Sequence, residues 1–132
     1  MPPDLADYLC REAARPFARP DDDCCFMAAT WVLERTGIDP AADLRDAYHD
    51  ARGALRLIRT WGGFETMWSV HMALAGFNLT ARPTAGDVGV LRDRAGQTVA
   101  GIRVGTAWAM KAARGVLIED VPCIAAWSLA RG

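Results

Sequence analysis

The apolar pattern of this chain changes once, near Gly76, and that change limits the folds open to it. Upstream, apolar residues recur three and four positions apart, the spacing of a half-buried helix. Downstream they gather into short β-type runs cut by glycines and aspartates. A helical half followed by a strand half is an α+β order, not the alternation of a doubly wound sheet.

The upstream half reads as four helices. Residues 4–14 place Leu5, Tyr8 and Leu9 at helical spacing and stop before Pro16. Residues 15–23 hold two prolines and three aspartates, which predicts a loop in which Asp22 or Asp23 caps the next helix. Residues 24–36 form the best-defined helix: Phe26, Ala29, Trp31, Val32 and Leu33 give the wide apolar face of a central element, and Gly37 stops it. Residues 51–60 (Leu55, Leu57, Ile58) and 64–74 (Met67, Trp68, Val70, His71, Leu74) predict two more helices, parted by Gly62-Gly63. Past Gly76, residues 88–91, 99–104, 107–110, 116–118 and 124–129 predict about five short antiparallel strands. The expected organisation is one domain over 1–132, helical over 4–76 and β over 86–130.

A chain of 132 residues, 52% apolar, can bury a core without disulfide or metal staples. Its formal charge is -1, with arginines interleaved among aspartates, so no nucleic-acid partner is expected; a polyanion would need a local patch that the sequence does not announce. No apolar window is long enough for a membrane span. The start, Met1-Pro2-Pro3-Asp4, lacks the basic-then-apolar order of a signal peptide, which predicts synthesis and retention in a bacterial cytoplasm. Cys10, Cys24, Cys25 and Cys123 match no zinc spacing, so no metal site is expected. Cys10, Cys25 and Cys123 read as small buried hydrophobes, and the five tryptophans as core and interface anchors.

Two segments carry a family likeness. Pro16-Phe17 through Asp23-Cys24-Cys25-Phe26-Met27-Ala28-Ala29-Thr30-Trp31-Val32 resembles the loop and nucleophile helix of NlpC-type, papain-like cell-wall cysteine peptidases, whose helix opens with Asp-Cys. Ala85-Gly86-Asp87-Val88-Gly89-Val90 is similar to the start of their first core strand, and Gly101-Ile102-Arg103-Val104-Gly105 to the second. The chain resembles more closely a group of small proteins encoded among phage and prophage tail genes, in which Asp-Cys, a Gly-Asp strand and a late Ala-Trp such as Ala126-Trp127 recur. The likeness implies a papain-like domain, helices packed on an antiparallel sheet, with Cys24 in the nucleophile's place. It also implies tail or tail-tip proteins as partners and a place in the virion tail.

A thiol in the first turn of a helix meets unpaired N–H groups and the positive dipole end, which favour thiolate, while Asp21, Asp22 and Asp23 beside Cys24 oppose it. By the likeness the base should stand near Val99 or Ala100, and neither accepts a proton. His49, in a polar stretch, reads as a surface residue; His71, in an apolar helix, is the alternative base. Asp87 reads as a turn residue bonding nearby N–H groups. These residues support three readings. One is a tail structural or assembly protein without enzyme activity. The second is a thiol hydrolase acting on peptidoglycan peptides during DNA entry through Cys24 and His71. The third is a set of cysteines sharing an iron–sulfur cluster with a partner's thiolates.

Overall fold

The structure, a computed structural model, describes residues 3–18 and 23–130. Asp21 and Asp22 lie outside the described residues. The helices are α1 (Pro3–Ala13), α2 (Cys24–Thr36), α3 (Ala51–Thr60) and α4 (Phe64–Leu74). The strands are β1 (Asn78–Leu79), β2 (Val88–Arg92), β3 (Thr98–Val104), β4 (Ala107–Ala112), β5 (Gly115–Glu119) and β6 (Cys123–Ser128). The fold is α+β, with six strands in one antiparallel sheet where five were expected. The additional strand, β1, is two residues long and pairs with β6, too short to carry a periodicity.

Local chemistry sets the helix ends. Asp23 caps α2 by accepting the Phe26 N–H at 2.9 Å, and Gly37 closes it at φ 79 with its N–H on the Leu33 carbonyl. Asp50 caps α3 by accepting the Gly53 N–H at 2.7 Å. Helix α2 is buried nearly all round, from Cys25 to Val32, and packs on β3 and β4. Its Trp31 donates through Nε1 to the Gly86 carbonyl at 2.7 Å, fixing the turn ahead of β2. Asp87 holds that turn from the other side: its carboxylate accepts the Thr84 and Leu129 N–H groups at 2.8 and 3.1 Å.

The sheet order is β1-β6-β2-β3-β4-β5. Strands β5 and β6 are therefore four strand spacings apart, about 19 Å in a flat sheet. The four peptide links from Glu119 to Cys123 reach at most about 14 Å, so the sheet must curl. Its outer face supplies Val88, Val90, Ala100, Ile102, Ala109 and Trp127 to the core under the helices. The inside of the curl holds a second cluster, Leu91, Trp108, Met110, Val121 and Ala126, all buried. Space there is scarce. Gly89 and Gly101 pair across β2 and β3; a Cβ on Gly89 would come within 2.9 Å of the Trp108 ring, and one on Gly101 within 2.8 Å of the Ala109 carbonyl oxygen.

Helix α1 is tied to the sheet by the chain's only lysine. Lys111 Nζ donates to the Glu12 and Arg15 carbonyls at 2.9 and 2.7 Å and to the Glu12 carboxylate at 3.2 Å, and its side chain is fully buried. Tyr8 extends the network, donating to the Met27 carbonyl at 2.5 Å and lying 3.1 Å from Glu12 Oε1. The sequence pattern fails at Leu55 and Leu74, which are exposed and not on the apolar faces of their helices, and at Cys10 and Cys123, also exposed. Cys10 lies on the outer side of α1, and Cys123 opens β6 directly after Pro122.

Candidate functional site

The head of α2 is where the chain concentrates reactive groups. Cys24 is the first residue of the helix and half-buried, so its thiol sits at the positive dipole end. The preceding Asp23 is buried and committed at both oxygens: Oδ1 takes the Phe26 N–H, and Oδ2 takes the Tyr48 hydroxyl. Tyr48 reaches that position from the segment 39–50, which crosses over the helix head. Its ring stacks on Phe26 with centroids 5.7 Å apart. Arg45 braces the same segment, pairing with Asp39 at 2.7 Å, bonding Thr30 at 3.2 Å and lying over the Phe26 ring. Burial, then the Asp23 hydrogen bond and the neighbouring thiols, push the Tyr48 hydroxyl far above the usual phenol range.

Cys24 opens on a cleft between the α2 head, the crossing segment, α3 and α4, whose wall is mostly apolar: Leu44, Ala54, Leu57, Phe64 and Met67, with Asp23 and Tyr48 at its polar end. His71 lines a second, smaller cavity with Cys25, Pro40, Ala41 and Trp68. Both of its ring nitrogens are engaged, Nδ1 with the Met67 carbonyl at 2.6 Å and Nε2 with Asp43 at 3.0 Å, and Trp61 packs edge-on against the ring. The sequence-predicted pair is thus split: Cys24 lines one cavity and His71 the other, and the residues common to both are Cys25, Leu44 and Met67.

Cys25 points inward. Burial first, then the neighbouring Asp23 and Cys24 side chains, hold its thiol well above the ordinary range, against a smaller pull from Trp68 and Arg45. Trp68 Nε1 is buried without a partner of hydrogen-bond geometry among the described residues, yet its N–H lies close enough to Cys25 to lower that thiol. His49 is exposed. On β3, Ala100 is fully buried toward the helices and Val99 packs toward the inner cluster, so apolar side chains fill both faces at the position where the likeness expects the base.

Sequence reasoning missed Tyr48 and Asp43. Both sit in a stretch that reads as a polar loop, and their partners lie 25 and 28 residues away, a distance over which no spacing rule operates. Among the described residues, no three His, Cys, Asp or Glu side chains converge as a metal would require, and no helix is long and apolar enough to cross a membrane.

A protein-family model described as a domain of unknown function, DUF6950, matches residues 1–129. No curated protein and no solved structure matches the chain.

Proposed function

The chain belongs to the DUF6950 family, and we propose that it is a structural or assembly component of a phage or prophage tail, at the tip or hub, built on a papain-like frame of NlpC type whose hydrolytic machinery is incomplete. The observation that carries this reading is at β3. A thiol hydrolase needs a proton acceptor within about 3 Å of its nucleophile. The strand that would supply it offers Ala100, fully buried, and Val99. Asp23, the carboxylate beside Cys24, has both oxygens occupied by the helix cap and Tyr48. A cleft with an apolar wall, in which the one carboxylate among the described lining residues is already engaged, is suited to holding a partner's side chains.

Co-expression with the other tail proteins and mass spectrometry of purified virions test the proposal. Stoichiometric incorporation is expected, unchanged by Cys24→Ala. A protein recovered only free in the lysate would reject it.

One observation favours the second reading, a hydrolase of peptidoglycan peptides: Cys24 stands half-buried at a helix N-terminus and lines a cleft. Iodoacetamide reactivity across pH separates the two. The tail reading expects Cys24 to alkylate no faster than an ordinary thiol, and muropeptides to stay intact.

A further inference from the structure

Helix α3 carries charge that no other described residue pairs with. Arg52, Arg56 and Arg59 recur at i, i+4 and i+7, which places them on one side of the helix, and all three are exposed. Leu55 lies among them, 50% exposed, and the four residues line one shallow depression. Four other arginines meet carboxylates, Arg11 with Glu34 at 2.7 Å, Arg35 with Asp4 at 3.2 Å, Arg45 with Asp39 at 2.7 Å, and Arg94 with Glu119, and Arg92 and Arg103 bond backbone carbonyls. Among the described residues, the three guanidinium groups of α3 have no such partner. The nearest acid in sequence, Asp50, is engaged as the helix cap.

That arrangement has an internal cost. Like charges at i, i+4 and i, i+3 each destabilise a helix by a few tenths of a kcal/mol, and Arg52 in the first turn opposes the helix dipole. An external anion would relieve both. The other side of α3 is occupied, because Ala54, Leu57 and Ile58 pack toward the core.

We infer that the outer face of α3 docks an acidic protein segment, which pairs carboxylates with Arg52, Arg56 and Arg59 and sets an apolar side chain on Leu55. Guanidinium groups suit this task because they bind carboxylates bidentately. Leu55 decides the class of partner. A phosphate backbone has no apolar group to meet a leucine at the centre of the patch, and three cations would release only about three counterions. A lipid surface would need an apolar helix face, and the apolar face of α3 is turned inward. Arginine around an apolar anchor is the composition of protein–protein contacts. The inference stands whether or not the partner belongs to a tail.

The test uses the full chain and a fluorescein-labelled synthetic helical peptide with three glutamates at i, i+4 and i+7 around one leucine. Controls are the same peptide with serine for the leucine, a short DNA duplex and anionic phosphatidylglycerol vesicles. Amide shift changes are expected on the outer face of α3. Binding should weaken about tenfold or more in the triple variant Arg52→Glu, Arg56→Glu, Arg59→Glu, and several-fold in Leu55→Ser. Circular dichroism of the triple variant should match wild type, since all three sites are exposed. Shifts elsewhere on the surface, equal binding by the triple variant, or tighter binding of the duplex or the vesicles would overturn the inference. Equal affinity for the serine peptide would do the same.

Discussion

Asp23, the residue before Cys24, joins two local events: it caps α2, and it receives the hydroxyl of Tyr48 from the crossing segment. Replacing it with alanine removes a cap, worth about 1 kcal/mol, and leaves a buried phenol without its acceptor, worth about 1–3 kcal/mol more. Asp23→Ala is therefore expected to lower stability in urea by roughly 3 kcal/mol. A loss below about 1 kcal/mol would mean that Tyr48 finds another partner. The chain's two tyrosines are both buried, and in both burial is the first cause that holds the phenol above its ordinary value, with Glu12 next for Tyr8 and Asp23 next for Tyr48. The buried thiol of Cys25 shifts in the same direction. Raised folded-state values mean that the unfolded chain gives up these protons first as pH climbs. The stability these groups lend is complete below their ordinary range and is lost above it, at about 1.4 kcal/mol per pH unit for each group. Tyrosinate absorbance should accordingly appear together with loss of the far-ultraviolet dichroism, in one cooperative alkaline step. A phenolate signal near its ordinary value of about 10 in an intact fold would contradict this.

At the scale of elements, α1 depends on Lys111. The side chain ends the helix by satisfying the carbonyls of Glu12 and Arg15, and it neutralises a buried carboxylate. Lys111→Met should cost about 3 kcal/mol, and Glu12→Gln in the same chain should restore part of that loss, because an unpaired buried charge is the larger penalty. A double-mutant cycle reads the coupling. On the sheet, Gly101→Ala forces a methyl against the Ala109 carbonyl and Leu91, so a loss of about 2 kcal/mol is expected, visible as a lower Tm. Element limits are legible in the sequence wherever punctuation is local. Asp23 with Gly37 bounds α2, Asp50 opens α3, and the Asp93 turn with Gly96 joins β2 to β3. Strand β1 is not legible, because two residues have no period and exist as a strand only through Ser128 and Trp127. The face of Leu55 is misread for a similar reason: an apolar residue counts toward a helix stripe whether or not anything covers it.

For the whole molecule, the order of helices and strands is readable from the sequence, and the curl is not. It arises from β6 returning past three strands to pair with β2, a long-range choice that the apolar runs alone leave open. The site divides in the same way. The place of Cys24 at a helix start is a local signal, whereas which cavity His71 lines depends on how α4 and the segment 39–50 pack.

The sealed ammonium group of Lys111 has a further consequence for anyone handling this protein. With its only lysine shut between the first helix and the sheet, the native chain presents no side-chain amine to acylating dyes or aldehyde fixatives. Acylation at that one nitrogen would count the molecules in which the first helix has come away, giving a gauge of partial opening that needs no engineered probe.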